Sequence, residues 1–359
     1  MHLSKLSWAV VLALVPVVAN GQVPHSDAKT PETKKSTQPI DGKTMYEWMN
    51  VLKSDKDPGV RVRAIHALQF YGVEAREAVH LIIKALYDAD ASVRVNAAIA
   101  VGLIGFDAKD LTNGVNALKY LLTRSGEEGI VRFQAARALG RLGPDAAPAI
   151  PGLLLAIRST VSYEVRQAAA YALGSAGWDN QRYPDFRAIN ALLNALQYDK
   201  NSEVRMEALF SLIVLGPPMQ GAEKAAERRA LEAHTRDRSK IVQIWSRVAL
   251  MRLDKVSAQH LEPIARLLKD PDQRVRVNAA RAFVIMGKDA KANVRDLTYA
   301  LDDKEPDVLV WVCVALGQMR DAGQEALPKL EKLAEHQDPR VKQAAADAIG
   351  NIKAKVKSN

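Results

Sequence analysis

The chain has 359 residues, a formal net charge of +9, 48% hydrophobic residues, 6% aromatics and a single cysteine. One thiol excludes a disulfide framework, a CxxCH haem attachment and a thiolate zinc site, and Cys313 is far from where a lipoprotein anchor would need it. The apolar share comes largely from Ala, Val and Leu, so the expected core is one of small side chains between closely packed helices.

In chain order, residues 1–21 read as a secretory signal. Lys5 supplies the positive start, Leu6 to Ala19 the apolar stretch, and Ala19-Asn20-Gly21 the small residues for cleavage near Gly21. The stretch is too short for a membrane span, which needs about 20 apolar residues, and Pro16 interrupts it. The expected location is therefore periplasmic or extracellular, and losing Lys5 takes the charge from +9 to +8. Residues 22–41 (QVPHSDAKTPETKKSTQPID) hold almost no large apolar side chains. Such a segment cannot bury enough surface to offset its ordering entropy, and is expected to be a disordered tether.

From residue 42 to 352 one unit is written nine times. The pattern V-R-x-x-A-A-x-A-L-G begins at Val60, Val93, Val131, Val165, Val204, Val242, Val275, Val308 and Val341, at intervals of 33, 38, 34, 39, 38, 33, 33 and 33 residues. Three residues before each Val stand Asp57, Asp90, Glu128, Ser162, Asn201, Ser239, Asp272, Glu305 and Asp338. Asp, Asn and Ser cap helix N-termini through a side-chain oxygen; the two Glu cap less well but carry charge that suits a helix start. Pro58, Pro306 and Pro339 follow at the first helical position, where a missing N–H costs nothing. Gly72, Gly105, Gly143, Gly177, Gly216 and Gly287 come after the apolar face and suit a left-handed helix end. A second amphipathic helix precedes each copy, as in 42–54, 78–88, 147–159, 186–199, 260–270 and 325–336, with apolar residues at helical spacing. No segment has the period-2 pattern of a strand. A helix pair cannot bury its own apolar face and must stack on its neighbours. Residues 353–359 form a short basic tail with Lys353, Lys355 and Lys357.

The motif D-x-x-V-R-x-x-A-A-x-A-L-G, seen in DPGVRVRAIHALQ, DASVRVNAAIAVG and DPRVKQAAADAIG, resembles the HEAT repeats, in particular the short PBS-lyase-like HEAT repeats, and the opening GKTMYEWMNVLKSDKDPGVR resembles the first repeat of exported bacterial HEAT proteins. The resemblance covers nearly all of the chain after the tether. It implies an all-α, right-handed α-solenoid of about nine helix pairs, with the V-R helix on the inner, concave side. The Arg after each Val runs Arg61, Arg94, Arg132, Arg166, Arg205, Gln243, Arg276, Leu309 and Lys342. This column is expected to be structural, each Arg pairing with acids or carbonyls of the adjacent repeat's loop. The longer intervals place insertions near 106–114, 178–184 (WDNQRYP) and 217–223 (PPMQGAE).

Catalytic signals are absent. The seven His (His2, His25, His66, His80, His234, His260, His336) are followed by Leu, Ser, Ala, Leu, Thr, Leu and Gln, never by the Glu with which HEAT-like deoxyhypusine hydroxylases hold iron. Bilin lyase subunits share the repeat, but a repeat carries no lyase chemistry by itself. No Walker A, G-x-S-x-G, H-E-x-x-H or G-x-G-x-x-G context occurs. Cys313 occupies an Ala position of its copy and is expected to pack. No cofactor or metal is expected.

Residues three, six and ten after each Val share one face of the V-R helix. Along that row the candidate partner-binding residues are Arg137, Arg141, Tyr171, Phe210, Trp245, Arg252, Arg281 and Trp311. Rings and guanidiniums at the centre of a surface are what binding hot spots use, while the same rings could instead fill gaps between adjacent helices. If they are anchors, replacing Trp245 and Arg281 together removes binding and spares the helical melt. Residues 223–255 hold nine Lys/Arg against five acids, a local net of +4 that suits either a solvated helix face or steering of an anionic partner. The expected function is an exported, monomeric, non-catalytic scaffold holding a protein or peptide along the concave face. The alternatives are binding of nucleic acid or another polyanion, disfavoured by the export signal, and a lyase- or hydroxylase-type enzyme, disfavoured by the missing His-Glu motifs.

Overall fold

The computed structural model describes residues 39–71, 76–104, 108–160, 162–178, 184–216, 222–254 and 258–354. The signal, most of the tether, Gly72, Gly105, the middle of both Pro-containing insertions and the tail beyond 354 lie outside the described residues. The chain falls into two compact units, Met1–Pro218 and Met219–Asn359.

The first unit pairs α1 (Met45–Ser54) with α2 (Pro58–Phe70), α3 (Val79–Ala85) with α4 (Ala91–Val101), α5 (Ala108–Thr123) with α6 (Gly129–Leu142), α7 (Ile150–Ala156) with α8 (Tyr163–Ala176), and α9 (Phe186–Tyr198) with α10 (Ser202–Leu215). The second pairs α11 (Ala222–His234) with α12 (Lys240–Asp254), α13 (Ala258–Arg266) with α14 (Gln273–Met286), α15 (Val294–Ala300) with α16 (Pro306–Gln318), and α17 (Leu327–Leu333) with α18 (Pro339–Lys353). The even-numbered helices carry the V-R motif. Isolated bridges at Ile40–Lys43 and Trp178–Pro184 are the β-type pairings among the described residues.

The caps explain where the motif helices begin. Asp57, Asp90, Ser162, Asn201, Ser239, Asp272 and Asp338 each accept a first-turn amide at 2.7–3.5 Å. Glu128 and Glu305 occupy the same position with no side-chain cap bond, because their longer side chain overshoots the amide. Gly143, Gly216 and Gly287 end their helices at φ +62°, +76° and +49°. Gly177 does not: its φ is −76°, and it is small for a different reason, since a Cβ there would lie 3.1 Å from the Cβ of Ala188.

The preceding helices are shorter than the sequence pattern suggests. Gly143–Ala149, Gly287–Asn293 and Arg320–Ala326 form 3-10 turns that lead into α7, α15 and α17. In the first of these, Pro144 and Pro148 cannot donate to an α-helical ladder. At the N-terminus a capping box closes α1: the Thr44 hydroxyl accepts from the amide of Glu47 and the Glu47 carboxylate accepts from the amide of Thr44 at 2.7 Å. Trp48 then donates to the carbonyl of Ile40 at 2.9 Å, which ties the end of the tether to the first pair.

Within each unit successive motif helices are neighbours: α2, α4, α6, α8 and α10 in the first, α12, α14, α16 and α18 in the second. Their Ala-Ala positions (Ala97–Ala98, Ala135–Ala136, Ala169–Ala170, Ala279–Ala280) are fully buried. Small residues are required where backbones meet. A Cβ on Gly174 would lie 2.8 Å from the Cα of Ser211, whose hydroxyl donates across to the carbonyl of Ala170 at 2.8 Å. Cys313 lies in this buried layer, and burial pushes its thiol up to about 12.

Candidate functional site

Four residues of the Arg column, Arg61, Arg94, Arg166 and Arg276, join one repeat to an acid of the next, while the carbonyls the column binds belong to its own repeat's loop and not to the adjacent one. Arg61 makes a two-pronged contact with Asp88 at 2.9 and 2.7 Å and donates its third nitrogen to the carbonyls of Asp55 and Lys56. Arg166 treats Asp199 in the same way at 2.6 and 3.0 Å, and Arg276 treats Asp303 at 2.6 and 3.1 Å. The hydrogen bonds that the guanidinium groups donate to these carboxylates raise all three guanidinium pKa values. Arg94 reaches Glu127 at 2.7 Å. Arg132 donates to the carbonyl of Arg124, and Arg205 to those of Asp199 and Lys200. The loop acids also accept from the backbone two residues on, as Asp88 does from Asp90, Asp199 from Asn201 and Asp303 from Glu305. Each acid therefore shapes its own loop and receives the previous repeat's Arg.

The exceptions to the column are compensated. Gln243 keeps only the carbonyl contact, to Asp237 at 2.7 Å, and Lys240 supplies the charge to Asp270 at 2.6 Å. Leu309 has no acid to meet, because the corresponding loop position is His336, whose Nδ1 accepts from the amide of Asp338 at 3.0 Å. Both halves of that pair are replaced together. Lys342 makes an outlying contact with Glu335 at 3.5 Å.

The row three, six and ten residues after each Val behaves differently in the two units. In the second unit Trp245 is 0% exposed and donates to Asn278 at 2.9 Å. The Arg281 guanidinium, 8% exposed, sits 5.8 Å from the Trp245 ring and 5.3 Å from the Trp311 ring. This Trp–Arg–Trp stack clamps α12, α14 and α16 together. Trp245 and Arg281 are thus core residues and not surface anchors, and replacing them together cannot spare the melt. Phe210 in the first unit is likewise buried. Trp311 is half-buried and Arg252 exposed.

In the first three repeats of the first unit the row reaches solvent. Arg63, His66 and Phe70 on α2 are exposed, Phe70 at 77%, and Leu103 beyond α4 is 63% exposed. His66 and Asn96 join the two helices through a 2.8 Å hydrogen bond. On α6, Arg137 is half-buried over the Phe133 ring and Arg141 is exposed. The Arg141 stem crosses Gly102, where an added Cβ would be 3.4 Å from its Cδ. Tyr171 on α8 is half-buried and occupies the space left by Gly140, where a Cβ would meet its ring at 2.3 Å. Arg137, Arg141 and Tyr171 are thus brought together. Burial, and then repulsion from Arg137, lowers the Arg141 pKa; burial raises that of Tyr171. Phe70 and Leu103 are the row's most exposed apolar side chains. Both stand at the tenth position, in or past the last turn, where a neighbouring helix does not cover them.

Three of the nine cations of 223–255 have structural partners: Arg228 pairs with Asp254, Lys240 with Asp270, and Arg247 donates to the carbonyl of Thr235. An open groove of about 530 Å³ in the second unit is lined by Lys269, Asp270, Asp296, Tyr299 and Lys304, and Arg276 and Asp303 form part of its wall. Its charges are mixed, and Arg276, Asp303 and Asp270 among them belong to the inter-repeat ladder. Glu227 on α11 is buried, and that burial pushes its carboxyl up to about 7 against the pull of Lys224. Among the described residues no cluster of three His, Cys, Asp or Glu side chains could hold a metal ion, and no helix is long and apolar enough to cross a membrane.

Comparison with known proteins places this geometry. The model of HEAT repeats matches residues 46–122, 81–174, 115–213 and 294–358. A phycobilisome maturation protein of Synechococcus elongatus (strain ATCC 33912 / PCC 7942 / FACHB-805) is 38% identical over 128 residues, which span 34% of this chain and 60% of that protein. Among solved structures, yeast importin-β (Kap95p) aligns with a TM-score of 0.55 at 11% identity, over 93% of this chain and 52% of importin-β. At that identity the likeness is one of fold. The complex of CpcE and CpcF of phycocyanin lyase from Nostoc sp. PCC7120 aligns with a TM-score of 0.49 at 20% identity, over 76% of this chain and 93% of that one.

Proposed function

The chain belongs to the HEAT-repeat family, and from that premise we propose that it is an exported, non-catalytic scaffold that holds a protein partner along the concave face its motif helices line. One observation carries the reading. Within the first unit consecutive motif helices pack side by side, so equivalent positions form a row, and that row presents Arg63, His66, Phe70, Leu103 and Arg141 to solvent. Groups that would otherwise suggest chemistry have structural work: the Arg column binds loop acids and carbonyls, and Cys313 is buried with its thiol pushed up to about 12. The signal-like residues 1–21 support export, with mass spectrometry of the secreted chain expected to give an N-terminus near Gln22.

Hydroxyl-radical footprinting of the full chain tests the reading. A bound protein partner is expected to protect Phe70, Leu103 and Tyr171. Protection confined to rings on the preceding helices, such as Tyr198 and Tyr299, would place the partner on the other face and refute it.

The similarity to a phycobilisome maturation protein favours a second reading, in which the partner is a client protein handled during its maturation. That reading predicts a transient complex that dissociates once the client is finished. A complex equally stable with the finished client would count against it.

A further inference from the structure

We infer that the open row of the first unit is a docking site for an acidic, apolar-rich protein segment, with Arg137, Arg141 and Tyr171 receiving a carboxylate and Phe70 and Leu103 receiving apolar side chains. This rests on the proposed scaffold reading and names the chemistry of its partner.

Three observations carry it. First, past their first turns α2, α4, α6 and α8 carry Arg63, Arg137 and Arg141 on this row and not one Asp or Glu; the acid that acts on Tyr171 is Glu207 of α10, which is buried. The acids of these helices, Glu128 and Glu164, stand at or beside the starts of α6 and α8, and the next described acid beyond α6 is Asp145 on the following turn. Second, Arg137 and Arg141 are one turn apart on the same helix, near enough that the charge of the first lowers the pKa of the second, with the Tyr171 ring beside them. Among the described residues no ion pair joins Arg63, Arg137 or Arg141 to an acid, whereas the column Arg61, Arg94, Arg166 and Arg276 are all paired. Two uncompensated guanidiniums at helical i, i+4 spacing repel each other, and a shared carboxylate reverses that sign through charge-assisted hydrogen bonds. Third, Phe70 at 77% and Leu103 at 63% exposure extend the same row, with the Arg141 stem laid over Gly102 next to Leu103. Apolar anchors flanked by Arg are the composition of a peptide-binding hot spot. A segment alternating acidic and apolar residues matches both features; a nucleic-acid backbone would use the Arg side chains and leave Leu103 with nothing to cover it.

The test is fluorescence anisotropy of the full chain with a labelled peptide of five Glu-Leu pairs, set against Glu-Ser, Lys-Leu and oligothymidine probes of similar length. The Glu-Leu peptide is expected to bind best. Arg137→Ala with Arg141→Ala is expected to weaken it by about tenfold or more, as is Phe70→Ser with Leu103→Ser, while Arg252→Ala in the other unit changes nothing. Arg141→Glu should shift preference toward the Lys-Leu peptide, which guards against a variant that merely unfolds, and thermal melts confirm that the variants remain folded. The inference is overturned if the Arg pair can be removed without loss, if the Glu-Ser peptide binds as well as Glu-Leu, or if oligothymidine binds better than either. Best binding of the Lys-Leu peptide at the same face would sink this inference and leave the scaffold reading standing. Footprinting that finds no protein on the face would sink the scaffold reading itself.

Discussion

At the third and sixth positions after Val the first repeat of the first unit leaves Arg63 and His66 in solvent, whereas the second unit packs the same positions into a stack of Trp245, Arg281 and Trp311; at the tenth position Phe70, Leu103 and Arg141 are exposed, as is Arg252. The backbone pattern is the same in both. What differs is reach. An indole at the third position is long enough to lie over the neighbouring helix, and Asn278 meets its N–H at 2.9 Å while Arg281 meets its face. Arg63, Asn96 and Gln134 occupy that position in the first three repeats, and none of them carries a ring that could close over the next helix. A repeat position therefore does not decide whether a side chain is surface or core; the pair of side chains facing each other across two helices does.

The contrast can be tested from its strongest point downward. Trp245→Ala empties a fully buried site and is expected to cost about 3–5 kcal/mol of stability, read as a lowered urea midpoint; a loss below about 1 kcal/mol would mean the stack is not core. Arg276→Ala removes one partner of a buried pair whose side chains are 10% and 9% exposed. Leaving Asp303 behind is expected to cost about 3 kcal/mol, and Arg276→Ala with Asp303→Ala should cost less than Arg276→Ala alone. Glu227 gives a pH signature. Its carboxyl is raised to about 7 in the folded chain from an ordinary 4.5, so the unfolded chain releases its proton first and stability falls as pH rises from about 4.5 to above 7. The fall is on the order of 2–3 kcal/mol, and Glu227→Gln should flatten it; an unchanged pH profile in that variant would discount the assignment. The smallest effect belongs to the open row, where Phe70→Ala with Leu103→Ala should change stability by no more than about 0.5 kcal/mol while weakening partner binding.

Much of the ladder was legible. The residue three before each Val announced the cap, and the seven Asp, Asn and Ser made the expected bonds because cap geometry depends on a few consecutive residues. The Arg column was legible for a related reason: its acids stand one or two residues before the cap of the next motif helix, 27 or 33 residues on, so the repeat pattern substitutes for three-dimensional information. The replacement of Arg by Lys240 beside Gln243, and the joint loss at Leu309 and His336, could have been read by comparing each Arg with the loop acid of the next repeat. The Thr44–Glu47 capping box was a local signal that sequence reading passed over. Gly177 misled because a glycine after a helix can be selected for its backbone angle or for its missing Cβ, and the sequence looks the same in both cases.

The candidate site divided along the same line. Helical spacing alone put Arg137, Arg141, Tyr171, Trp245, Arg281 and Trp311 on one row, since which residues share a helix face follows from 3.6 residues per turn. Whether each met solvent or a neighbour depended on distances between helices that are far apart in sequence. A buried Trp and an exposed one have the same spacing and chemistry, so no pattern along the chain could separate Trp245 from an anchor. The amino-acid sequence by itself determined the repeat, its caps and the residues that link one repeat to the next, because those rest on local or periodic relations. Only the tertiary structure decided which rings close the core, that Phe70 and Leu103 stand open, and that Arg137 and Arg141 share no acid among the described residues, because burial and charge compensation are properties of what other helices bring alongside.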